Sequence, residues 1–396
     1  MDKIAEIITQ RADEIFDETV RLRRHFHMYP ELSFKEYKTS EFICGFLNDH
    51  KIDYIKDLAG TGIIAWVNGK GGKGKVIMLR AEMDALPIIE STALDYASKN
   101  RGIMHACGHD AHMAMLMSSI RIIKDIRNEF GGRIAFIFQP GEEVAPGGAK
   151  LLMETQAFKD LEPDLIIAQH VLPELETGMT GFRPGKYMAS SDELHISIKG
   201  RGGHAALPGQ GTDQVRIGSE LVMRLKDTVN DYRSDELPVV GIGRFTAEGS
   251  ANIIPEEVQI QGTIRTFNEK VREDLKKKLS SVCTHIQNKY GVHVNLKIPD
   301  GYPVLVNSYE HAKRSCEMAE IINGKKMVKE IDRRMSSEDF AFYSQKYPAV
   351  FYRLGVKSRT EGMKGLHSPD FTIDEKAMLT GLRTLSYLGV RFTSGW

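Results

Sequence analysis

The chain reads as an α/β protein: a mostly parallel sheet with its helices, into which a smaller α+β domain of ferredoxin-like pattern is inserted. Short apolar runs of β-branched character at 62–67, 75–80, 133–138, 165–169 and, much later, 349–354 are interspersed with stretches of helical periodicity. That is the pattern of parallel strands joined by helical crossovers. Between residues 187 and 299 the order changes to β-α-β-β-α-β, after which the α/β style resumes. The expected domains are therefore 1–186 together with 300–396, and an inserted 187–299.

Residues 3–28 place apolar side chains at helical spacing (Ile4, Ile7, Ile8, Ile15, Val20, Leu22), and Pro30, which cannot continue a helix, stops the pattern. The basic run Arg23-Arg24-His25-Phe26-His27 falls at that helix end, where the arginines are expected to be solvated or to complement the helix dipole rather than to form a basic patch. A second helix is expected over 36–49. Helices over 113–130 and, after Pro146-Gly-Gly, over 149–157 separate the early strands. In the inserted segment 190–199 alternates as a strand (Leu194, Ile196, Ile198), and Gly-Arg-Gly-Gly-His204 and a helix over 212–229 follow. Strands over 238–247 and 256–267, a helix over 269–289 and a strand over 292–298 complete the insert.

Bulk properties exclude several classes. A chain of 396 residues with 41% hydrophobic and 27% charged residues has ample apolar material for two cores. Lys+Arg and Asp+Glu are equal at 53 each, so no global field attracts nucleic acid or an anionic membrane. No apolar stretch of about 18 residues occurs, and the N-terminus lacks a signal-peptide core. A cytoplasmic location is expected. Four scattered cysteines are too few for a disulfide framework, and Cys44, Cys283 and Cys316 read as buried thiols.

The fourth cysteine is different. Residues 104–112 read Met-His-Ala-Cys-Gly-His-Asp-Ala-His, so that Cys107, His109 and Asp110 offer a thiolate, an imidazole and a carboxylate around Gly108. Further polar residues fall just past strand ends: Glu82 and Asp84 after 75–80, Glu142 and Glu143 after 133–138, and His170 after 165–169. In open α/β sheets that edge is where loops converge into sites. Cys107, His109, Glu143, His170 and, beyond the last strand, His367 form a mixed S/N/O donor set too large for one tetrahedral zinc. Two metals fit better. A two-metal hydrolase acidifies a water and polarises the scissile carbonyl, so a further carboxylate must accept a proton. Glu142, adjacent to Glu143, is placed for that role, and Asp84 for aligning a ligand imidazole.

These residues carry a resemblance. Arg80-Ala-Glu-Met-Asp-Ala-Leu-Pro87, His105-Ala-Cys-Gly-His-Asp-Ala-His112, Phe138-Gln-Pro-Gly-Glu-Glu143, Gly202-Gly-His-Ala-Ala206, Ala251-Asn-Ile-Ile-Pro255 and Ser337-Glu-Asp-Phe340 resemble, in fixed order, the amidohydrolase family of hippurate hydrolases, auxin-conjugate hydrolases and N-acetyl-diaminopimelate deacetylases. The resemblance implies two divalent ions, manganese or zinc with nickel or cobalt as alternatives, at Cys107, His109, Glu143, His170 and His367, and Glu142 as general base. It also implies a homodimer, or a tetramer, formed through the inserted lid domain, with His204, Asn252 and Arg265 reaching the substrate. Glu82 stands where the family's pattern has Asp, and Asp370 follows His367 in a segment that varies.

The expected activity is metal-dependent cleavage of an N-acyl amino acid into a carboxylate and a free amino acid. His204 would stabilise the oxyanion, and Arg265 with Asn252 would hold the α-carboxylate. A dipeptidase or carboxypeptidase on the same scaffold is the nearest alternative. A thiol hydrolase built on Cys107 and a non-catalytic binding protein are more distant ones.

Overall fold

The computed structural model describes residues 2–207, 209, 211–232, 237–357 and 364–394. The chain divides into two compact units, Met1–Gly185 with Val306–Asp332 and Asp339–Trp396, and Lys186–Leu305 with Arg333–Glu338. The first unit holds an eight-stranded sheet in the order Asp53–Leu58, Gly62–Asn68, Arg133–Gln139, Val76–Glu82, Leu165–Glu176, Ala349–Lys357, Thr180–Phe182, Val328–Glu330. Its four central strands, from Arg133–Gln139 to Ala349–Lys357, run parallel. Antiparallel pairing brings in the hairpin Asp53–Leu58 and Gly62–Asn68 on one side and Thr180–Phe182 on the other. The central strands are apolar along their length because both faces are covered, and Val76–Glu82 and Arg133–Gln139 are buried at every position but the first.

The second unit has the strand order Val239–Thr246, Glu257–Arg265, Asp192–Lys199, His293–Lys297, all antiparallel, with the helices Gln214–Asp227 and Glu269–Tyr290. In chain order this is β-α-β-β-α-β, the ferredoxin-like pattern. Inward Leu194, Ile196 and Ile198 pack with Leu221, Leu225, Leu275 and Leu279 in a core of its own. Among the described residues no helix is long and apolar enough to cross a membrane.

Several elements differ from expectation, each for a local reason. The helix expected over 3–28 is two, Lys3–Glu14 and Phe16–Met28, broken at Ile15, whose ψ of 7° leaves the helical region. The helix expected from 113 starts at His109, because Gly108, with φ +88°, turns the chain into the helix directly at the motif. The strand expected to end at Gln169 continues to Glu176, since its apolar run keeps pairing with Ala349–Lys357, and His170 therefore lies within it opposite Arg353. Cys316 is only partly buried, unlike Cys44 and Cys283. The strand Asp53–Leu58 and the helices Tyr309–Asn323 and Ala377–Thr393 were not expected.

Of the basic run, Arg24 is exposed as expected, but Arg23 and His27 are buried. Arg23 is 1% exposed, and its Nε donates to Asp110 Oδ2 at 3.0 Å while its Nη1 donates to Glu375 Oε1 at 2.9 Å. His27 Nδ1 donates to the same Asp110 oxygen at 2.8 Å and its Nε2 lies 3.2 Å from Glu90. Burial disfavours charge on Asp110, but the Arg23 guanidinium and then His27 outweigh it and hold the carboxyl well below the usual range. Asp110 is the second residue of the helix that begins with His109, so this buried cluster fixes the helix end from which the site is built.

Removing one member of a buried ion pair leaves the other uncompensated, so Asp110→Ala should destabilise the protein by about 3–5 kcal/mol in urea unfolding. The native carboxyl pKa is depressed, so the contribution is full above the unfolded value of about 3.9 and disappears as pH falls through the native one. The gap between wild type and variant should accordingly narrow on acidification.

Candidate metal centre

Gly108 brings the first two donors together. A Cβ there would lie 2.5 Å from Val171 Cγ2, so only glycine lets the Cys107 turn close onto the strand that carries His170. Cys107 Sγ consequently sits 3.4 Å from His170 Nε2. The imidazoles are oriented through their other nitrogens. His170 Nδ1 donates to the Val171 carbonyl at 2.8 Å, and His109 Nδ1 donates to the Asp84 carbonyl at 2.8 Å, with the Asp84 carboxylate 3.4 Å away. Each ring thus turns Nε2 toward the site, the orientation a metal ligand needs.

Glu143 enters from the loop after Arg133–Gln139. Its N–H donates to Asp84 Oδ2 at 2.9 Å, an oxygen that also accepts from Ser33 Oγ at 2.7 Å. His367 arrives on a separate turn with φ +62°, tied to the cysteine loop by its N–H on the Ala106 carbonyl at 2.8 Å. Its Nε2 is 3.2 Å from Glu143 Oε1. All five donors expected from the sequence are gathered. Cys107–His109–His170 and Cys107–Glu143–His367 form triads, as do His109–Glu142–Glu143, with donor atoms in each within 4.8 Å of one another. Buried His109 Nε2 makes no hydrogen bond and lies 4.0 Å from Glu143 Oε1. Leaving that nitrogen unpaired is costly, and a cation between it and the carboxylate would satisfy it.

The electrostatics favour positive charge at this spot. Burial alone would hold His109 neutral, yet the Asp84 hydrogen bond and the charges of Glu82, Asp84 and Glu143 push its pKa up to about 10. Burial pushes the Cys107 thiol well up, and Glu143, Glu142 and Glu82 push it further. A thiolate there requires an adjoining cation, which is the reverse of the electropositive setting that activates a nucleophilic cysteine. His170 is held well down by burial and by Arg353 and His112, so its ring stays neutral and able to coordinate. Burial opposes the Asp84 charge, but His109, the Glu143 N–H and Ser33 overcome it. Glu142 is 7% exposed and stands between two residues whose backbones are pinned.

The other expected residues lie in the second unit. His204 pairs with Ile253 in a two-stranded ribbon that also holds Asn252, whose carbonyl accepts from Ala205 N–H at 3.0 Å. Arg265 ends the strand Glu257–Arg265 and donates to Ser337 Oγ at 3.3 Å. Asp370, on the first unit, pairs with Lys364.

Further residues support the donors from behind. His112 Nδ1 donates to Glu82 Oε2 at 3.0 Å while its Nε2 accepts the Val171 N–H at 3.0 Å, which fixes the strand beside His170. Its position three residues after His109, on the same helix face, was the available signal. Arg80 pairs with Glu82 and donates to Gln139 at 2.9 Å and to Asp339 at 2.7 Å; Gln139 Nε2 donates to Asp339 at 2.8 Å. Charged residues two apart in an otherwise apolar strand mark that layer.

A parallel α/β sheet edge that collects thiol, imidazole and carboxylate donors defines a metal-dependent hydrolase. The profile of peptidase family M20/M25/M40 matches residues 78–389. The chain is 35% identical over 361 residues to an N-acetyl-L-cysteine deacetylase of Bacillus subtilis (strain 168), covering 91% of this chain and 84% of that one. It is 36% identical over 303 residues to an N-acyl-L-amino acid amidohydrolase of Geobacillus stearothermophilus, covering 76% and 81%. The crystal structure of Bacillus subtilis YXEP protein, a dinuclear metal binding peptidase from the M20 family, superposes with a TM-score of 0.81 at 31% identity over 96% of this chain and 99% of that one. The chain belongs to peptidase family M20/M25/M40, and it is an amidohydrolase that works with divalent metal ions.

Proposed function

We propose that the protein hydrolyses N-acyl amino acids, acetyl or benzoyl derivatives among them, to a carboxylate and a free amino acid. Two divalent ions would be held by Cys107, His109, Glu143, His170 and His367. The observation that carries this is the pair of donor triads sharing Cys107. The names of two relatives, a deacetylase of N-acetyl-L-cysteine and an N-acyl-L-amino acid amidohydrolase, support the substrate class. Manganese or zinc, with nickel or cobalt as alternatives, are the ions that the likeness to the amidohydrolase family implies. When bound, the ions supply Lewis acidity to the scissile carbonyl and acidify a water.

The protein's own groups do the rest. Glu142 accepts the proton of the attacking water and delivers it to the leaving nitrogen. Asp84 keeps the His109 ring aligned through Nδ1. His204 donates to the developing oxyanion, and Arg265 with Asn252 takes the α-carboxylate through charge-assisted hydrogen bonds. The inserted segment 187–299 serves as lid and dimerisation domain of a cytoplasmic homodimer. A panel of N-acyl amino acids and dipeptides, with metals added one at a time, tests the substrate class. Turnover of dipeptides alone would replace it with a peptidase, the activity named for YXEP.

Cys107→Ser should lose bound metal and activity together, since a neutral hydroxyl is a far poorer ligand than a thiolate. Metal content measured on the purified variant checks this, and full occupancy without activity would show that the thiol is not a ligand. Glu142→Gln should keep its metals and fold while kcat falls by at least about 10²–10⁴. Near-normal kcat would move the base elsewhere, with Asp84 the next candidate.

If His204 completes the site of the other subunit, mixing inactive His204→Ala with inactive Glu142→Ala chains gives heterodimers with one doubly defective and one intact site. Random reassortment should then restore roughly a quarter of sites. Heterodimers demonstrably formed but without regained activity would place His204 in its own chain's site.

A further inference from the structure

The loop bearing Glu142 is held by a residue far in sequence from every donor. Glu36 has no exposed surface, and its carboxylate is fully engaged: Oε1 accepts the Phe34 N–H at 2.8 Å and the Gly141 N–H at 2.9 Å, and Oε2 accepts Thr61 Oγ1 at 2.6 Å. On the far side of Glu142, the Glu143 N–H is held by Asp84 Oδ2 at 2.9 Å. The residues immediately before and after Glu142 are therefore each pinned by a buried carboxylate. The fit is close. Gly141 has φ +57°, and a Cβ on it would meet the Phe34 ring at 2.4 Å, so the aromatic face lies directly on the glycine. The loop also closes on itself, Gly148 N–H donating to the Gly141 carbonyl at 3.0 Å.

We infer that Glu36 is a positioning residue for the reaction: by anchoring Gly141, together with the Asp84 anchor on Glu143, it fixes the direction in which Glu142 presents its carboxylate. The inference rests on the proposed role of Glu142 as base. A proton acceptor held off its line by about 1 Å can lose on the order of 10²-fold in rate, so an anchor one residue away has a direct kinetic consequence. The anchoring does not depend on a full negative charge. Burial pushes the Glu36 carboxyl up to about 6, against the Thr61 hydroxyl that holds it down. A glutamine of the same shape can accept both amide protons through its oxygen and donate to Thr61 Oγ1 through its nitrogen.

The test compares Glu36→Gln, Glu36→Asp and Glu36→Ala, with kcat, KM and metal content measured on each, alone and combined with Glu142→Gln. Glu36→Gln should stay within about threefold of wild-type kcat, while Glu36→Asp, which keeps the charge but loses reach, and Glu36→Ala should lose about 10- to 100-fold in kcat with KM and metal content unchanged. In the Glu142→Gln background the same substitutions should cost almost nothing more, because the group they position is already gone. Wild-type kcat in Glu36→Ala, a loss explained by missing metal, or a loss that adds in full to that of Glu142→Gln would each overturn the inference. Should Glu36→Ala not fold, Glu36→Asp carries the same comparison. If Glu142→Gln alone stays active, it is the base assignment that has failed, and the three single variants still show whether Glu36 governs kcat.

Discussion

Glu82, Asp84, Glu142 and Glu143 crowd four carboxylates into the buried end of one sheet, and the catalytic unit is arranged around neutralising them. Desolvation penalises each buried charge, and mutual repulsion adds to the cost. Arg80 opposes it at Glu82, and His109, Ser33 and the Glu143 N–H oppose it at Asp84. What is left over is negative potential at the point where Cys107, His109 and Glu143 meet, and it shows in a histidine pushed up to about 10 beside a thiol that cannot ionise by itself. The same field that would disable a cysteine nucleophile selects for a cation.

The supports for this centre form two layers. One is the fully buried cluster of Arg80, Gln139, Asp339 and Tyr343, which ties adjoining strands together beneath the loops. The other lies on the helix side, where Arg23 and His27 converge on Asp110 and where His112 bridges Glu82 to the backbone after His170. Both restrict the donors to rotamers and tautomers that already face inward, so that binding an ion requires little reorganisation.

What could be read from the sequence was what is local in it. The central strands stood out because each is a continuous apolar run, and the donors because they directly follow such runs or share one motif. Ala377–Thr393, not expected from the sequence, is buried almost all round. Arg23 was misjudged because its partners, Asp110 and Glu375, are distant in sequence, and nothing nearby announces that a cation will be buried. Glu36 was invisible for the same reason: its tie to Gly141 spans 105 residues and leaves no spacing to recognise. The ferredoxin-like insert was legible as an order of elements, which depends only on period and turn.

The ion pair between Arg23 and Glu375 joins residues 352 apart in sequence, and Asp2 meets Tyr387 across 385. Contacts of such high order are the last to become favourable as a chain condenses, because the loop they close is long. The helix that begins at His109 therefore has its own local nucleus but cannot be clamped until residue 375 has arrived. On a ribosome, Cys107 and His109 emerge after Asp84, which aligns the His109 ring, but long before His170 and His367, so the full donor set is brought together only once the C-terminal part of the chain has been made.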